Sequence, residues 1–255
     1  MHDFKESSTS SLFLNERERV NRENSSFDFD GWFNETLNKL GDKKTILDIF
    51  CGRGKQLRSL KNAWPSSVVT GVDISKDSID FIEKNIVDVN SVCIPVEDFV
   101  SSSKESGKKW DLISAFYGLY YASNQQVFLH DLANLVNKNG HLIVCGPYGD
   151  NNKKLYGMLE SYQEIDEFVL HTSNDYMDSV VIPELSKYEF NIQVETRVNS
   201  ISYKSSDEVI RYLESTTFYN RKNCLEVKVE LDEYFKENKV FSVDKHIKML
   251  VCEKI

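Results

Sequence analysis

The sequence has 255 residues, of which 40% are hydrophobic and 28% charged, an ordinary composition for a globular protein with one large core. Its formal net charge of −9 argues against a nucleic-acid binder, which needs clustered positive charge to displace counterions. The chain contains no run of about 18 apolar residues and no apolar signal-peptide core near Met1, so we expect no membrane span and a cytoplasmic protein.

The cysteines form neither a metal-binding pattern nor a disulfide pattern. They are odd in number, widely scattered and never spaced as Cys-x-x-Cys: Cys51, Cys93, Cys145, Cys224 and Cys252. Zinc sites and disulfide frameworks need closely spaced or paired cysteines. We therefore expect no bound metal.

The N-terminal segment is polar before it becomes apolar. Residues 1–24 are rich in Ser, Glu, Arg and Asn, and they predict a loosely ordered lead-in with a short helix at Leu14 to Val20. A further helix that stops near Gly41 is indicated by apolar residues at helical spacing: Trp32, Phe33, Leu37 and Leu40.

Strands and helices then alternate. The predicted strands are Thr45–Phe50, Val68–Asp73, Ser91–Pro95, Trp110–Phe116 and Gly140–Gly146. The predicted helices between them are Lys55–Asn62, Lys76–Asn85, Glu97–Ser103 and Asn124–Val136. The strands are short, apolar and without polar alternation, as expected when helices cover both faces of a sheet. This pattern predicts an α/β fold with a doubly wound, mostly parallel sheet.

The pattern changes after Gly149. Predicted helices cover Asn151–Ser173 and Asp175–Lys187, a strand covers Tyr188–Tyr203, helices run from Ser206 to about Phe218 and over Leu225–Glu237, and a strand covers Val240–Cys252. We expect one domain with a helical insertion. Its parts are an N-terminal lid segment (1–40), a cofactor-binding core (41–150), an acceptor-side lid with the sixth strand (151–220) and a C-terminal helix with the closing strand (221–255).

The first strand candidate ends in a Gly-x-Gly turn at Gly52 and Gly54, and a helix follows. A buried strand, a glycine turn and a helix bring backbone N–H groups close to a bound ligand. This arrangement indicates a nucleotide-like cofactor.

Three acidic residues lie in, or shortly after, the first three predicted strands. Asp48 lies inside the first strand, Asp73 ends the second, and Asp98 follows the third. An acid at the end of the second strand can accept hydrogen bonds from both ribose hydroxyls, and a third-strand acid can accept one from the exocyclic amine of adenine. Asp98 also has an alternative role as a helix cap, and Asp48 as a turn-bonding residue.

With these acids in place, the chain resembles the class I S-adenosylmethionine-dependent methyltransferases, and in particular small-molecule enzymes of the trans-aconitate type. Ile46-Leu-Asp-Ile-Phe-Cys-Gly-Arg-Gly54 resembles their glycine-rich motif, and Gly71-Val-Asp-Ile-Ser75 their ribose motif. Glu97-Asp98-Phe99 resembles their adenine motif. The resemblance implies a seven-stranded sheet with an antiparallel last strand, and S-adenosylmethionine as cofactor. One departure is Phe50, which stands where the family has a glycine.

The resemblance also implies the cofactor contacts. The expected residues are Asp48, Cys51, Gly52, Gly54, Asp73, Ile74, Asp98, Phe99, Ala115 and Phe116. Asp48 is expected near the cofactor's amino group, and the backbone N–H of Phe99 near adenine.

The acceptor site is expected where the fourth and fifth strands end. The substrate-contacting candidates there are Tyr117, Tyr120, Tyr121 and Tyr148, and the catalytic candidates are Tyr117 and, as base, His171. Arginines in the lid segments suit an acidic acceptor: Arg17, Arg19, Arg22, Arg211 and Arg221. We expect transfer to an oxygen of a small acid, phosphate or saccharide precursor. The alternatives are a non-catalytic methyltransferase-like partner protein and a nicotinamide-dependent oxidoreductase.

Overall fold

The computed structural model of this chain describes residues 15–17, 19–20 and 23–255. Residues 15–17 and 19–20 are helical, while Leu14 and the other undescribed positions of the predicted N-terminal helix lie outside the described residues. Within the described ranges, no helix is long and apolar enough to cross a membrane.

The first part of the chain contains five strands and the helices that connect them. The elements are α1 (Phe29–Leu37), β1 (Thr45–Ile49), α2 (Lys55–Ala63), β2 (Val68–Asp73), α3 (Lys76–Asn85), β3 (Val89–Cys93), α4 (Val96–Glu105), β4 (Trp110–Phe116), a 3₁₀ turn (Leu119–Tyr121), α5 (Gln125–Leu135) and β5 (Val136–Pro147). The predicted strand–helix alternation is confirmed.

The second part is mostly helical and ends in a long strand. It consists of α6 (Lys153–Leu159), α7 (Glu167–Asn174), a π-helical turn (Met177–Val181), α8 (Ile182–Leu185), β6 (Phe190–Tyr203), α9 (Ser206–Glu214), a 3₁₀ turn (Arg221–Asn223), α10 (Cys224–Glu237) and β7 (Phe241–Lys254).

The seven strands form a single sheet in the order β3-β2-β1-β4-β5-β7-β6. β1 pairs in parallel with both β2 and β4, β2 with β3, and β4 with β5. The last strands are antiparallel. The predicted fold class, a mostly parallel doubly wound sheet with an antiparallel end, is therefore confirmed.

Several predicted elements differ from the structure, and proline explains two of these differences. β3 ends at Cys93 instead of Pro95, because Pro95 is the N-cap of α4, with φ −54° and ψ 134°. The predicted helix over Asp175–Lys187 is a π-helical turn followed by the short helix α8. Pro183 in the first turn of α8 has no N–H for the carbonyl four residues earlier, so a regular helix cannot run through this segment.

The contacts of the chain divide it into two compact units. The sheet unit comprises Asp28–Gly146, Asp175–Thr196 and Lys248–Ile255, and the appended unit comprises the described residues up to Phe27 with Pro147–Asn174 and Arg197–Ile247. Each has its own apolar core, around Trp110 and Leu129 in the sheet unit and around Leu155 and Leu213 in the appended unit. Helix α1 belongs to the sheet unit, although the sequence analysis grouped it with the N-terminal segment.

Candidate functional site

The candidate site lies in the sheet unit, where β1, β2 and β4 end. The register pairs Asp48 of β1 with Gly71 of β2 on one side and with Ser114 of β4 on the other. The strand order reverses its direction between β1 and β4. In open α/β sheets, ligands bind outside the carboxyl ends of the strands at such a point.

The turn after β1 has a left-handed backbone at three positions. φ is 55° at Phe50, 50° at Gly52 and 77° at Gly54. A Cβ on Gly52 would meet nothing within 4 Å, whereas a Cβ on Gly54 would lie 2.5 Å from the Cδ1 atom of Ile86. Gly52 therefore leaves the backbone open to an approaching ligand, while a Cβ on Gly54 would have to displace the side chain of Ile86.

Asp73 joins the end of β2 to the glycine turn. Its Oδ2 atom accepts a hydrogen bond from the backbone N–H of Gly52 at 2.8 Å, and its Oδ1 atom accepts one from the N–H of Ser75 at 2.9 Å. These two bonds fix the plane of the carboxylate. Each oxygen keeps a further lone pair, so the group can still accept hydrogen bonds from a ligand.

Asp48 is buried, with 1% of its surface exposed. Its Oδ1 atom accepts a 2.6 Å hydrogen bond from the hydroxyl of Ser114, and no partner within the described residues reaches Oδ2. Burial raises the pKa of Asp48 from 3.8 to about 7, against the lowering effect of the Ser114 bond, and the Asp73 charge raises it further. Asp48 thus bonds across the sheet and neither caps a helix nor closes a turn.

The predicted adenine side consists of an exposed acid and an exposed aliphatic side chain. Asp98 lies exposed in the first turn of α4, and its carboxylate makes no hydrogen bond with the part of the chain that the structure describes. Ile74, directly after Asp73, is 58% exposed. The N–H of Phe99 donates to the carbonyl of Pro95 at 3.2 Å, and its contact with adenine stays a prediction.

Three predicted cofactor residues are buried in the structure. Ala115 has no exposed surface, Cys51 is 5% exposed and Phe116 is 7% exposed. The ring of Phe116 meets that of Phe33 edge to face, with centroids 5.0 Å apart. Ala115 therefore packs in the core, and its contact with the cofactor stays a prediction.

The tyrosines after β4 form an aromatic group. Tyr120 contacts Tyr121, with ring centroids 4.7 Å apart, and Tyr176 at 5.8 Å. Tyr117 is 41% exposed, yet the protein packed around its hydroxyl raises the pKa of Tyr117 well above the usual range. Its phenol is therefore protonated at neutral pH and can donate a hydrogen bond, but it cannot serve as a base.

The remaining two predicted site residues lie in the appended unit. Tyr148 is half-buried, and its ring centroid lies 5.6 Å from that of His246. His171 is exposed on α7. Their predicted roles toward an acceptor stay predictions.

The sequence reasoning missed two residues of this site. Ser114 carries the only described hydrogen bond to the Asp48 carboxylate, and Gly118 provides the space that the ring of Phe50 fills. The parallel pairing of β1 with β4 was predictable, so a polar residue in β4 could have been sought as the partner of Asp48. The size of Phe50 was the signal for a nearby small residue.

The comparisons with known proteins agree with this geometry. Residues 20–178, more than half of the chain, match the family model described as a methyltransferase domain. A candidate methyltransferase, 235L, of Invertebrate iridescent virus 6 is 21% identical over 114 residues. That match covers 45% of this chain and 41% of the viral protein, so it spans less than half of this relative.

Solved structures share the fold at low sequence identity. The plantazolicin methyltransferase BpumL, in complex with a pentazolic desmethylPZN analogue and SAH, has a TM-score of 0.55 and 14% identity, with 99% of this chain and 98% of that chain covered. A candidate methyltransferase (BH2331) from Bacillus halodurans C-125 has a TM-score of 0.57 and 14% identity, with coverages of 88% and 97%. The family match over residues 20–178, on a fold with this strand order, shows that the chain belongs to the methyltransferase-domain family.

Proposed function

We propose that this chain transfers the methyl group of S-adenosylmethionine to an oxygen atom of a small-molecule acid, phosphate or saccharide precursor. The observation that carries the donor assignment is the position of Asp73. Two backbone N–H groups hold its carboxylate beside the open side of Gly52, and its remaining lone pairs suit the two hydroxyls of a ribose.

Other residues near the carboxyl ends of the strands are suited to bind the remaining parts of this cofactor. The buried Oδ2 atom of Asp48 has no described partner and can accept a hydrogen bond from an ammonium group, directly or through water. The exposed side chain of Ile74 offers an apolar surface for the adenine ring, and the carboxylate of Asp98 can accept a hydrogen bond from its exocyclic amine. Bound there, the cofactor would supply an electrophilic methyl carbon on a sulfonium.

The chain's own task is then to position the acceptor and exclude water. Methyl transfer is an in-line displacement, so alignment and desolvation contribute more than a protein nucleophile would. Tyr117, with its raised pKa, would donate a hydrogen bond to the acceptor without removing a proton. An acceptor oxygen that is already ionised, such as a carboxylate, needs no base. This favours an acidic acceptor over a neutral hydroxyl.

Cationic residues of the appended unit support an acidic acceptor. The Nζ atom of Lys245 donates to the hydroxyl of Tyr212 at 2.8 Å, and burial, with the nearby Arg17 charge, lowers the pKa of Lys245 to about 7. Arg19, by contrast, is ion-paired with Glu16 and Glu23. Arg17, which donates to the carbonyl of Ser215 at 3.0 Å, is therefore a better candidate for an anionic acceptor than Arg19, whereas the lowered pKa of Lys245 disfavours a charge on its amine. Arg22 lies outside the described residues.

The structural neighbours support an acceptor of small-molecule size. BpumL was solved with a pentazolic desmethylPZN analogue, which is a discrete ligand and not a nucleic acid. The acceptor-side roles expected of the segments 1–40 and 151–220, and of Tyr148 and His171, stay predictions. The trans-aconitate type of acceptor, and a cytoplasmic location, remain parts of this proposal.

Calorimetric titration with S-adenosylhomocysteine tests the donor assignment. Wild type is expected to bind, the Asp73→Asn variant to bind more weakly, and Asp77→Asn, which changes an exposed acid in the first turn of α3, to bind as wild type does. Absence of heat with wild type would instead support the non-catalytic partner protein. Binding of a nicotinamide dinucleotide with no binding of S-adenosylhomocysteine would support the oxidoreductase.

A radiolabelled methyl donor then tests the acceptor class. Panels of carboxylic acids, phosphates and sugars are compared with a panel of amines at equal concentration. Label in the acids or phosphates supports the proposal. Label in amines alone would refute transfer to oxygen.

A further inference from the structure

Two bulky residues of the sheet unit have a left-handed backbone, and both are at the candidate site. Left-handed non-glycine residues in the described chain are Phe50, Asp88, Tyr117, Asn139 and Asn152. Asp and Asn tolerate this conformation, whereas an aromatic residue there is a genuine outlier. Phe50 directly follows β1 and Tyr117 directly follows the neighbouring β4. Strained residues that cluster at a site are held there by their surroundings.

Phe50 and Gly118 fit each other sterically. A Cβ on Gly118 would lie closer than 3.0 Å to the Cβ, Cγ and Cδ2 atoms of Phe50. Gly118 has φ −134°, outside the left-handed region that favours glycine, so the space taken by Phe50 is the reason for a glycine at this position. On its other side, the Phe50 ring meets Phe128 of α5 edge to face, with centroids 6.0 Å apart.

Two further hydrogen bonds hold the segment 117–123. The N–H of Tyr117 donates to the carbonyl of Cys145 at 2.9 Å, and the N–H of Ser123 donates to Glu97 at 2.7 Å. Glu97 lies next to Asp98, the acid that would meet adenine. The segment that carries Tyr117, Tyr120 and Tyr121 therefore contacts both the glycine turn, through Phe50, and the start of α4.

We propose that Phe50 is a positioning residue that couples occupancy of the methyl-donor site to the order of the segment 117–123. The phenyl ring, wedged between Gly118 and Phe128, transmits the conformation of the glycine turn to the tyrosines on the acceptor side. A glycine at position 50 would leave that contact unmade. This inference rests on the proposed function, because it takes the turn as the donor site and the tyrosines as acceptor contacts.

Hydrogen exchange with and without S-adenosylhomocysteine tests the coupling. In wild type, the ligand is expected to slow exchange of the amides in 117–123. In Phe50→Ala, calorimetry is expected to show retained ligand binding, while the ligand-dependent slowing in 117–123 is lost. Phe50→Leu, which keeps an apolar side chain of similar reach, is expected to restore part of it.

The matched control is Phe81→Ala. Phe81 lies on α3, and its ring centroid is 3.9 Å from the guanidinium carbon of Arg53. Arg53 is a residue of the glycine turn, so Phe81 contacts the same turn as Phe50 does. Its removal is expected to leave the slowing in 117–123 intact. If Phe50→Ala keeps this slowing while binding the ligand, or if Phe81→Ala loses it equally, the inference is overturned and the proposed function stands. If wild type binds no ligand, both are overturned.

A second test, of the steric contact between Phe50 and Gly118, needs no ligand. Gly118→Ala alone is expected to lower the unfolding midpoint, and Phe50→Gly in the same chain, which removes the Cβ, Cγ and Cδ2 atoms that the new methyl group would meet, is expected to recover part of that loss. Additive losses in the double variant would refute the wedge contact, since non-additivity is the signature of side chains that touch.

Discussion

The buried Asp48 leads to a stability prediction with a defined pH window. Its carboxylate is 1% exposed, and its pKa is raised from 3.8 to about 7, chiefly by burial. Raising the pKa from 3.8 to about 7 corresponds to about 4 kcal/mol of unfolding free energy, as an upper bound. Asp48→Asn keeps the size of the side chain and an oxygen that can accept the Ser114 hydrogen bond, but it removes the charge.

The sign of the effect follows from proton binding. Between pH 4 and pH 7 the folded chain keeps the proton on Asp48 while the unfolded chain releases it, because the pKa is raised on folding. The Asp48 contribution to stability is therefore greatest near pH 4 and is lost as the pH rises through about 7. The Asp48→Asn variant has no titrating group at this position, so it does not lose this stability as the pH rises. Its stability relative to wild type should rise across the window, by up to about 4 kcal/mol.

Urea unfolding at a series of pH values from 4 to 8 measures this difference. The matched control is Glu105→Gln, which removes an exposed carboxylate at the end of α4 and should follow wild type. Parallel curves for wild type and Asp48→Asn across the window would show that the folded chain does not hold the proton on Asp48. The assignment of a raised pKa would then be wrong.

Three further outcomes are expected. Asp73→Asn should weaken S-adenosylhomocysteine binding by about 10- to 100-fold in calorimetry, the range for hydrogen bonds to a charged group. Gly54→Ala should lower the unfolding free energy more than Gly52→Ala in urea titrations, because only Gly54 faces Ile86 at 2.5 Å, whereas Gly52→Ala should impair ligand binding more. Lys245→Met should abolish a rise in wild-type stability between about pH 7 and 10, since the lowered pKa of Lys245 makes the unfolded chain bind more protons there.

The fold could be predicted from the sequence because its signals are local. Short apolar runs such as Val68–Asp73 and Trp110–Phe116 have the bounds that the structure gives them, and Lys76–Asn85 is the observed α3. The glycines after β1 and the acid at the end of β2 are likewise local signals, and the structure joins Gly52 to Asp73 by a hydrogen bond that was not predicted.

The details of the site depend on contacts between distant segments, which a linear pattern does not contain. Ser114 bonds to Asp48 across 66 positions of sequence, and their meeting depends on the register of β1 against β4. That register buries Ser114 and Ala115 equally, and the cofactor contact expected of Ala115 stays a prediction. Strand position alone cannot tell which of two successive residues faces a ligand and which faces the core.

The features of this site that destabilise the fold lie in or directly after two neighbouring strands, β1 and β4. Asp48 keeps a buried oxygen without a described partner, and Phe50 and Tyr117 hold left-handed backbones. Each of these features lowers the stability of the folded chain, and all three lie where the strand order reverses. If Asp48→Asn proves more stable above pH 7 and also binds S-adenosylhomocysteine more weakly, the buried charge is retained for ligand binding at the expense of stability. If the variant gains stability and binds the ligand as wild type does, the buried charge of Asp48 has no role in ligand binding.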